Sequence, residues 1–240
     1  VVDLSNGEAT SLSLDDMVAV QKQIGEEKSS RIEELDAAEE TINQVAIKSS
    51  SETSDSPDSK ASDAITARRQ MLTSGSALID DVVGVLQAKE ETMKGWQLIL
   101  AADGLAREAA QFASSATIGD MQSSTEKSQQ AIESFSKAKT AMQNAEQLFA
   151  QLDLSGYLNY IDKRLEAQGY AIESNNALIN RDTQTATEQN DAYNKAEQQA
   201  GELAQALPED PTELLETAFS EKTTSSREMY ENARSQAQSA

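Results

Sequence analysis

The sequence predicts an all-α fold: four or five long antiparallel helices in one elongated bundle domain, residues 1–240. Three observations carry that expectation. Large apolar residues recur every seventh position at Ile65, Leu72, Ile79, Leu86, Met93 and Leu100, with no proline between them, which is the spacing of a long helix burying a stripe against other helices. Aromatic residues make up only 4% of the chain, and sheets favour the aromatic and β-branched residues that are scarce here. The apolar stock is therefore Leu, Ile, Val, Met and many Ala, a composition suited to helices that approach closely.

Residues 1–12 read as a polar tail. Ser13-Leu14-Asp15-Asp16 has the form of a helix start, a serine cap with an acid three residues on. The first helix then runs to Lys48. Met17, Val20, Ile24, Leu35, Ile42 and Val45 mark its apolar side, and the polar run 25–31 predicts a weak or bent stretch. Residues 49–63 are rich in Ser and Asp and offer nothing to bury, so they are expected as a flexible loop.

The second helix is expected from Ser62 through Ala102, bending at Gly104 and ending near Ser115. Beside its seven-residue row lies another, Met71, Leu78, Val85, Thr92 and Ile99. This is the widest apolar face in the chain, and the first row is expected at the centre of the core. The third helix spans Gly119 to Asp153 with one bulky row (Met121, Ser128, Phe135, Met142, Phe149) and one small row (Ser124, Ala131, Ala138, Ala145, Leu152). The short Leu154-Ser155-Gly156 connection implies an antiparallel hairpin with the next helix.

A fourth helix is expected unbroken from Gly156 to Leu207, roughly 75 Å at 1.5 Å per residue, ended by Pro208 and Pro211. A fifth runs from Thr212 to Ala237 on Leu214, Leu215, Ala218, Phe219 and Tyr230, thin in apolar residues toward its end.

Composition excludes much chemistry. The chain has no cysteine and no histidine, which removes disulfides, thiolate nucleophiles, Cys- or His-based metal sites and the Ser-His-Asp triad. Its net charge of −21 repels phosphate backbones, so nucleic acid is not an expected partner. No apolar run reaches the roughly 18 residues of a membrane span. The sequence begins Val1-Val2 rather than with Met, which reads as a chain from which a leader or anchor has been removed.

No phosphate-binding loop, nucleophile elbow or dinucleotide fingerprint occurs. Ser134-x-x-Lys137 and Ser136-x-x-Lys139 match a catalytic Ser-x-x-Lys spacing without its companion motifs, as chance provides in a Ser- and Lys-rich helix. Adjacent acids such as Asp80-Asp81 and Glu90-Glu91 point apart on a helix. Arg68-Arg69 and Lys163-Arg164 are expected as surface ion pairs. The lone tryptophan, Trp96, is expected in the core, beside Tyr157 and Tyr160 if the second and fourth helices pack in register.

One pattern stands out. On the fourth helix the row Leu165, Ile172, Ile179, Ala186, Tyr193, Ala200, Leu207 is apolar or aromatic throughout, while the alternate row reads Gln168, Asn175, Asp182, Gln189. These four either line a polar ligand groove or flank a narrow stripe on its solvated edge. The sequence favours the solvated edge for at least three of them.

The expectation is a non-enzymatic, exported or envelope-anchored helical module that binds a partner or acts as a spacer, with no cofactor and no metal. Its partner is a protein or a small polar ligand. The alternative is an extracytoplasmic ligand-sensing bundle of a membrane receptor, with the polar row as its pocket. A cytoplasmic location is the alternative to an extracytoplasmic one.

Overall fold

The computed structural model describes residues 14–49, 57–115 and 117–239. Among these the chain is all-helical, in six helices: α1 Leu14–Ser49, α2 Pro57–Ala113, α3 Ile118–Leu148, α4 Ser155–Ile179, α5 Thr183–Ala206 and α6 Thr212–Ser239. The expected tail 1–12, the Ser13 cap and residues 50–56 lie outside the described residues. Residues 57–63, expected as loop, form the first turns of α2, which opens on Pro57, a residue that suits the first helical position.

The expected fourth helix is two. A Schellman closure ends α4: the Arg181 N–H donates to the Leu178 carbonyl (3.0 Å) and the Asp182 N–H to the Ala177 carbonyl (2.9 Å). Arg181 takes the left-handed conformation at φ 61°. Asp182 then caps α5, its carboxylate accepting from the Thr185 N–H (3.1 Å) and hydroxyl (2.7 Å). This break accounts for six helices where the seven-residue spacing had suggested five.

The described residues divide into two compact units, one of residues 1–86 with 219–240 and one of 87–218. In unit 1, α1 runs antiparallel to the first part of α2. Arg69 of α2 reaches Asp36 (2.5 Å) and Glu39 (2.9 Å) of α1, and the Gln21 amide donates to Asp80 at the other end (2.7 Å). The later part of α6 also packs on α2. The Ser226 hydroxyl donates to Asp81 (2.8 Å), and a Cβ at Gly75 would lie 3.2 Å from the Tyr230 ring. Ile65, Ala67, Val83, Val85 and Ala233 are buried here.

Unit 2 contains an up-down-up-down bundle formed by the second part of α2 with α3, α4 and α5. Antiparallel pairing is fixed between α2 and α3 by Lys127–Glu108 (2.6 Å), between α3 and α4 by Lys139–Asp162 (2.6 Å), and between α4 and α5 by Arg164–Glu197. Phe135, Met142, Ile99, Leu154, Tyr157 and Ile161 fill its core. Both predicted rows of α3 are buried from Ser124 and Ser128 onward, with Phe149 and Leu152 buried just past the helix end.

The seven-residue row of α2 is not the seam. Ile65 is buried and Leu72, Ile79 and Leu86 are half-buried, but Met93 and Leu100 are 43% and 51% exposed. In unit 2 another face of α2 is the buried one. In unit 2 the buried line is instead Ala88, Thr92, Gly95, Ile99, Ala102, Ala106 and Ala109, in alternating steps of four and three. Its small side chains let the neighbours close in: a Cβ at Gly95 would lie 3.0 Å from Met142 Cε. No helix among the described residues is long and apolar enough to cross a membrane.

A candidate ligand cavity beside a buried arginine clasp

On α4, Arg164, Gln168, Ala171 and Asn175 follow steps of four, three and four, which places them along one face. On α5, running the other way, Asn190, Tyr193 and Glu197 do the same. At one end of this α4–α5 interface the charged residues meet. At the other, α2 supplies alanines (Ala106, Ala109, Ala110, Ala113) and α3 supplies Ser124 and Ser128. Side chains this short do not fill the space between four helices, and a cavity of about 270 Å³ remains.

Gln168 lines this cavity and is 1% exposed. Neither its Nε2 nor its Oε1 has a hydrogen-bond partner, and the same holds for Oγ of Ser128, another lining residue. Two other lining groups are satisfied: the Asn175 amide donates to Ser124 Oγ (2.9 Å) and the Ser174 hydroxyl to the Ala186 carbonyl (3.1 Å). A buried polar group without a partner costs about 1–3 kcal/mol, and these atoms are enclosed by the surrounding side chains rather than presented to the cavity.

The four residues of the polar row separate. Gln168 and Asn175 come together in the cavity wall, both buried. Asp182 is exposed and serves as the α5 cap; Gln189 is half-buried and does not line the cavity. The solvated-edge expectation for at least three is therefore corrected: two are interior, while Leu165, Ile172 and Ile179 of the apolar row are only half-buried. The turn at 180–182 resets the helical phase, so the row does not continue across it and Asn190 and Tyr193 stand where Gln189 was expected. The sequence reading missed Ser124, Ser128 and Asn190 as wall residues. Serines inside two otherwise apolar rows of α3 were the available signal.

At the charged end, Arg164 is buried rather than a surface ion pair. Its Nε lies 2.9 Å from Asp103 Oδ1 on α2, Nη1 pairs with Glu197 Oε2 on α5, and the guanidinium sits 5.6 Å over the Phe135 ring. The Tyr160 hydroxyl donates to Asp103 Oδ2 (2.8 Å). Burial raises the Glu197 pKa, with Arg164 pulling against it. Burial lowers that of Arg164, but Glu197 and Asp103 outweigh it and hold the guanidinium charged. Burial likewise pushes Tyr160 and Tyr193 up, so both stay protonated. The neighbouring Lys163 does form a surface pair, with Glu166 (2.7 Å).

Trp96 is half-buried, with its ring edge-on to Tyr157 at 5.9 Å and 76°. The Tyr157 hydroxyl donates to the Pro208 carbonyl, and burial raises its pKa to about 12. Among the described residues no cluster of three or more acidic side chains is arranged to hold a metal ion. Asp103 is shared between Arg164 and Tyr160, and Glu197 pairs with Arg164 through Oε2 while its Oε1 has no partner. In comparisons with known proteins, no family model, curated protein or solved structure matches this chain.

Proposed function

We propose that the chain is a non-enzymatic helical-bundle binding module whose unit 2 holds a small polar molecule between α2, α3, α4 and α5. The observation that carries this reading is the cavity of about 270 Å³ between four helices, with Asn190 and Tyr193 on its wall. It supports ligand binding over a purely spacing role, because a spacer gains nothing from a recess with polar groups on its wall. The Arg164 clasp beside it holds α2, α4 and α5 together and keeps the cavity walls in place.

A thermal-denaturation panel tests the reading. Ligands that bind the folded state raise the midpoint by mass action. Small neutral lactams, ureas and diols, with acetate and methylammonium as charged counterparts, are titrated against the wild type and Asn190→Leu. At least one neutral class is expected to raise the wild-type midpoint with concentration and to leave the variant unmoved. A panel that leaves the wild type flat refutes the proposal. We also propose an extracytoplasmic, envelope-anchored setting, which the acidic, cysteine-free composition supports. Recovery of the chain in the cytosolic fraction on cell fractionation would overturn it.

A further inference from the structure

We infer that unit 2 carries a second site, where α2, α4 and the α5–α6 connection meet, and that it takes a small organic cation, a methylated ammonium held against Trp96 and Tyr160. The recess there has a volume of about 430 Å³ and shares no wall residue with the cavity beside Gln168. It does not rest on the binding role proposed above.

The chain gathers its rings at this place. It holds one tryptophan and five tyrosines, and Trp96, Tyr157 and Tyr160 all line the recess. Tyr157 and Tyr160 lie three apart on α4, so they share a face. Trp96 comes from α2 and meets Tyr157 edge-on, with 76° between the planes, so these rings form an angle instead of a flat stack. Tyr157 is enclosed, while Trp96 and Tyr160 are half-buried and keep part of their surface open. The far side is fixed as well. The Tyr157 hydroxyl donates to the Pro208 carbonyl, and a Cβ at Gly156 would lie 2.6 Å from Leu207 Cδ2, so the connection after α5 is drawn tightly onto α4. A preformed recess loses little to ordering when it binds.

Charge selects the guest. Asp103 and Glu209 are on the wall, and no Lys or Arg is. Asp210 and Glu213 stand near enough to Tyr157 to disfavour its phenolate. Asp103 is paired with Arg164, but Glu197 shares that guanidinium, so two carboxylates meet one cation there. Lys89, exposed on α2, lies near Asp210 and offsets one of these acids. The balance stays negative. An anion is repelled, and a neutral apolar guest would cover the carboxylates without offsetting their charge.

Wall chemistry then separates an organic cation from a metal ion. A hard metal ion takes a shell of about six or more oxygens. This wall is otherwise ring and aliphatic carbon, with Ile99, Ala204, Leu207 and Pro208 beside the aromatics. A methylated ammonium carries its charge behind apolar methyl groups, and aromatic rings attract such a cation through their quadrupoles. Size agrees, since small-molecule sites span roughly 300–1,000 Å³.

The test uses the full chain and its single tryptophan, whose fluorescence reports on the recess. The probes are choline, 3,3-dimethyl-1-butanol (the same shape with carbon in place of the charged nitrogen) and sodium chloride at matched ionic strength. We expect choline to change the Trp96 emission saturably and to bind at least about tenfold more tightly than the alcohol. Sodium chloride should leave the emission unchanged. Calorimetry then follows the variants. Glu209→Lys, a change at an exposed position, should weaken choline binding roughly tenfold by reversing a wall charge, and Trp96→Leu should abolish it. If the leucine variant does not fold, Glu209→Lys decides alone. Equal affinity for choline and the alcohol overturns the inference, as does the absence of a saturable response to choline or an equal response to sodium chloride. Undiminished choline binding by Glu209→Lys or by a folded Trp96→Leu overturns it too.

Discussion

Each unit carries an arginine that bridges two carboxylates from a neighbouring helix or helices, and the two clasps differ in what surrounds them. Arg69 in unit 1 joins Asp36 and Glu39 of α1 at the surface, its side chain 32% exposed. Arg164 in unit 2 joins Asp103 of α2 to Glu197 of α5 with 10% exposure, against the Phe135 ring and with Tyr160 completing the hydrogen bonding of Asp103. Water screens the first and lets its partners solvate on separation. The second is enclosed, so each charge depends on the others. The same contrast runs through the packing. No residue of α1 from 15 to 44 is fully buried, while unit 2 encloses Phe135, Met142, Ile161 and Gln168 almost completely.

The largest expected difference lies in the clasps. Arg164→Met should cost about 3–5 kcal/mol in a denaturant melt, because it strands two enclosed carboxylates. Arg69→Met should leave the midpoint nearly unchanged. Equal losses would show that Arg69 is as enclosed as Arg164 and would remove the contrast.

Two isoleucines on α2 sharpen it next. Ile99 is 1% exposed in the unit 2 seam, and Ile79 is half-buried in unit 1. Ile99→Ala is expected to cost about 2–5 kcal/mol through lost burial and a residual cavity; Ile79→Ala should cost roughly half as much or less. Leu100→Ala, beside Ile99 but outside the seam, should fall within about 0.5 kcal/mol of wild type. A larger loss at Leu100 would restore the seven-residue row as the interface.

Alkaline pH gives a smaller effect specific to unit 2. Tyr157 ionises near pH 10 when unfolded and at about 12 when folded, because burial, then Asp210 and Glu213, disfavour its phenolate. A raised folded pKa adds stability that is present below pH 10 and lost as pH rises from 10 to about 12. Tyr157→Phe lacks that contribution. The stability gap between wild type and variant should therefore narrow across pH 10–12, and a constant gap in matched melts would mean the hydroxyl is solvated.

The helical class was legible because periodicity and composition agree along the whole chain. On α3 even the buried rows were legible, since Phe135 and Met142 on one row and alanines on the other mark both sides of a seam. On α2 the legibility failed for a physical reason. Ala88, Gly95, Ala102, Ala106 and Ala109 are buried because they are small, and smallness is a weak hydrophobic signal, so the bulkier Met93 and Leu100 drew attention to an exposed face. The site was legible in half: Gln168 and Asn175 could be picked as polar residues at seam positions. Asp182 and Gln189 could not be separated from them, because the period was read straight through a turn. Arg164 was hidden by the usual fate of Lys-Arg pairs at surfaces, and its partners Asp103 and Glu197 are far away in sequence.

That turn supports the smallest prediction. Arg181 holds a left-handed conformation between α4 and α5, at the position where glycine is favoured. The strain costs a side-chain-bearing residue roughly 1–2 kcal/mol, and glycine's freer unfolded chain takes back about 0.5–1 kcal/mol. Arg181→Gly should therefore stabilise the protein by up to about 1 kcal/mol. Ala37→Gly, at an exposed interior position of α1, should destabilise it by about 0.5–1 kcal/mol. Opposite signs in paired melts separate a helix break in unit 2 from an uninterrupted helix in unit 1. If Arg181→Gly destabilises as Ala37→Gly does, residues 155–206 form one continuous helix. Asn190 and Tyr193 would then lose the phase that brings them to Gln168, and the cavity wall would have to be rebuilt around Asp182 and Gln189.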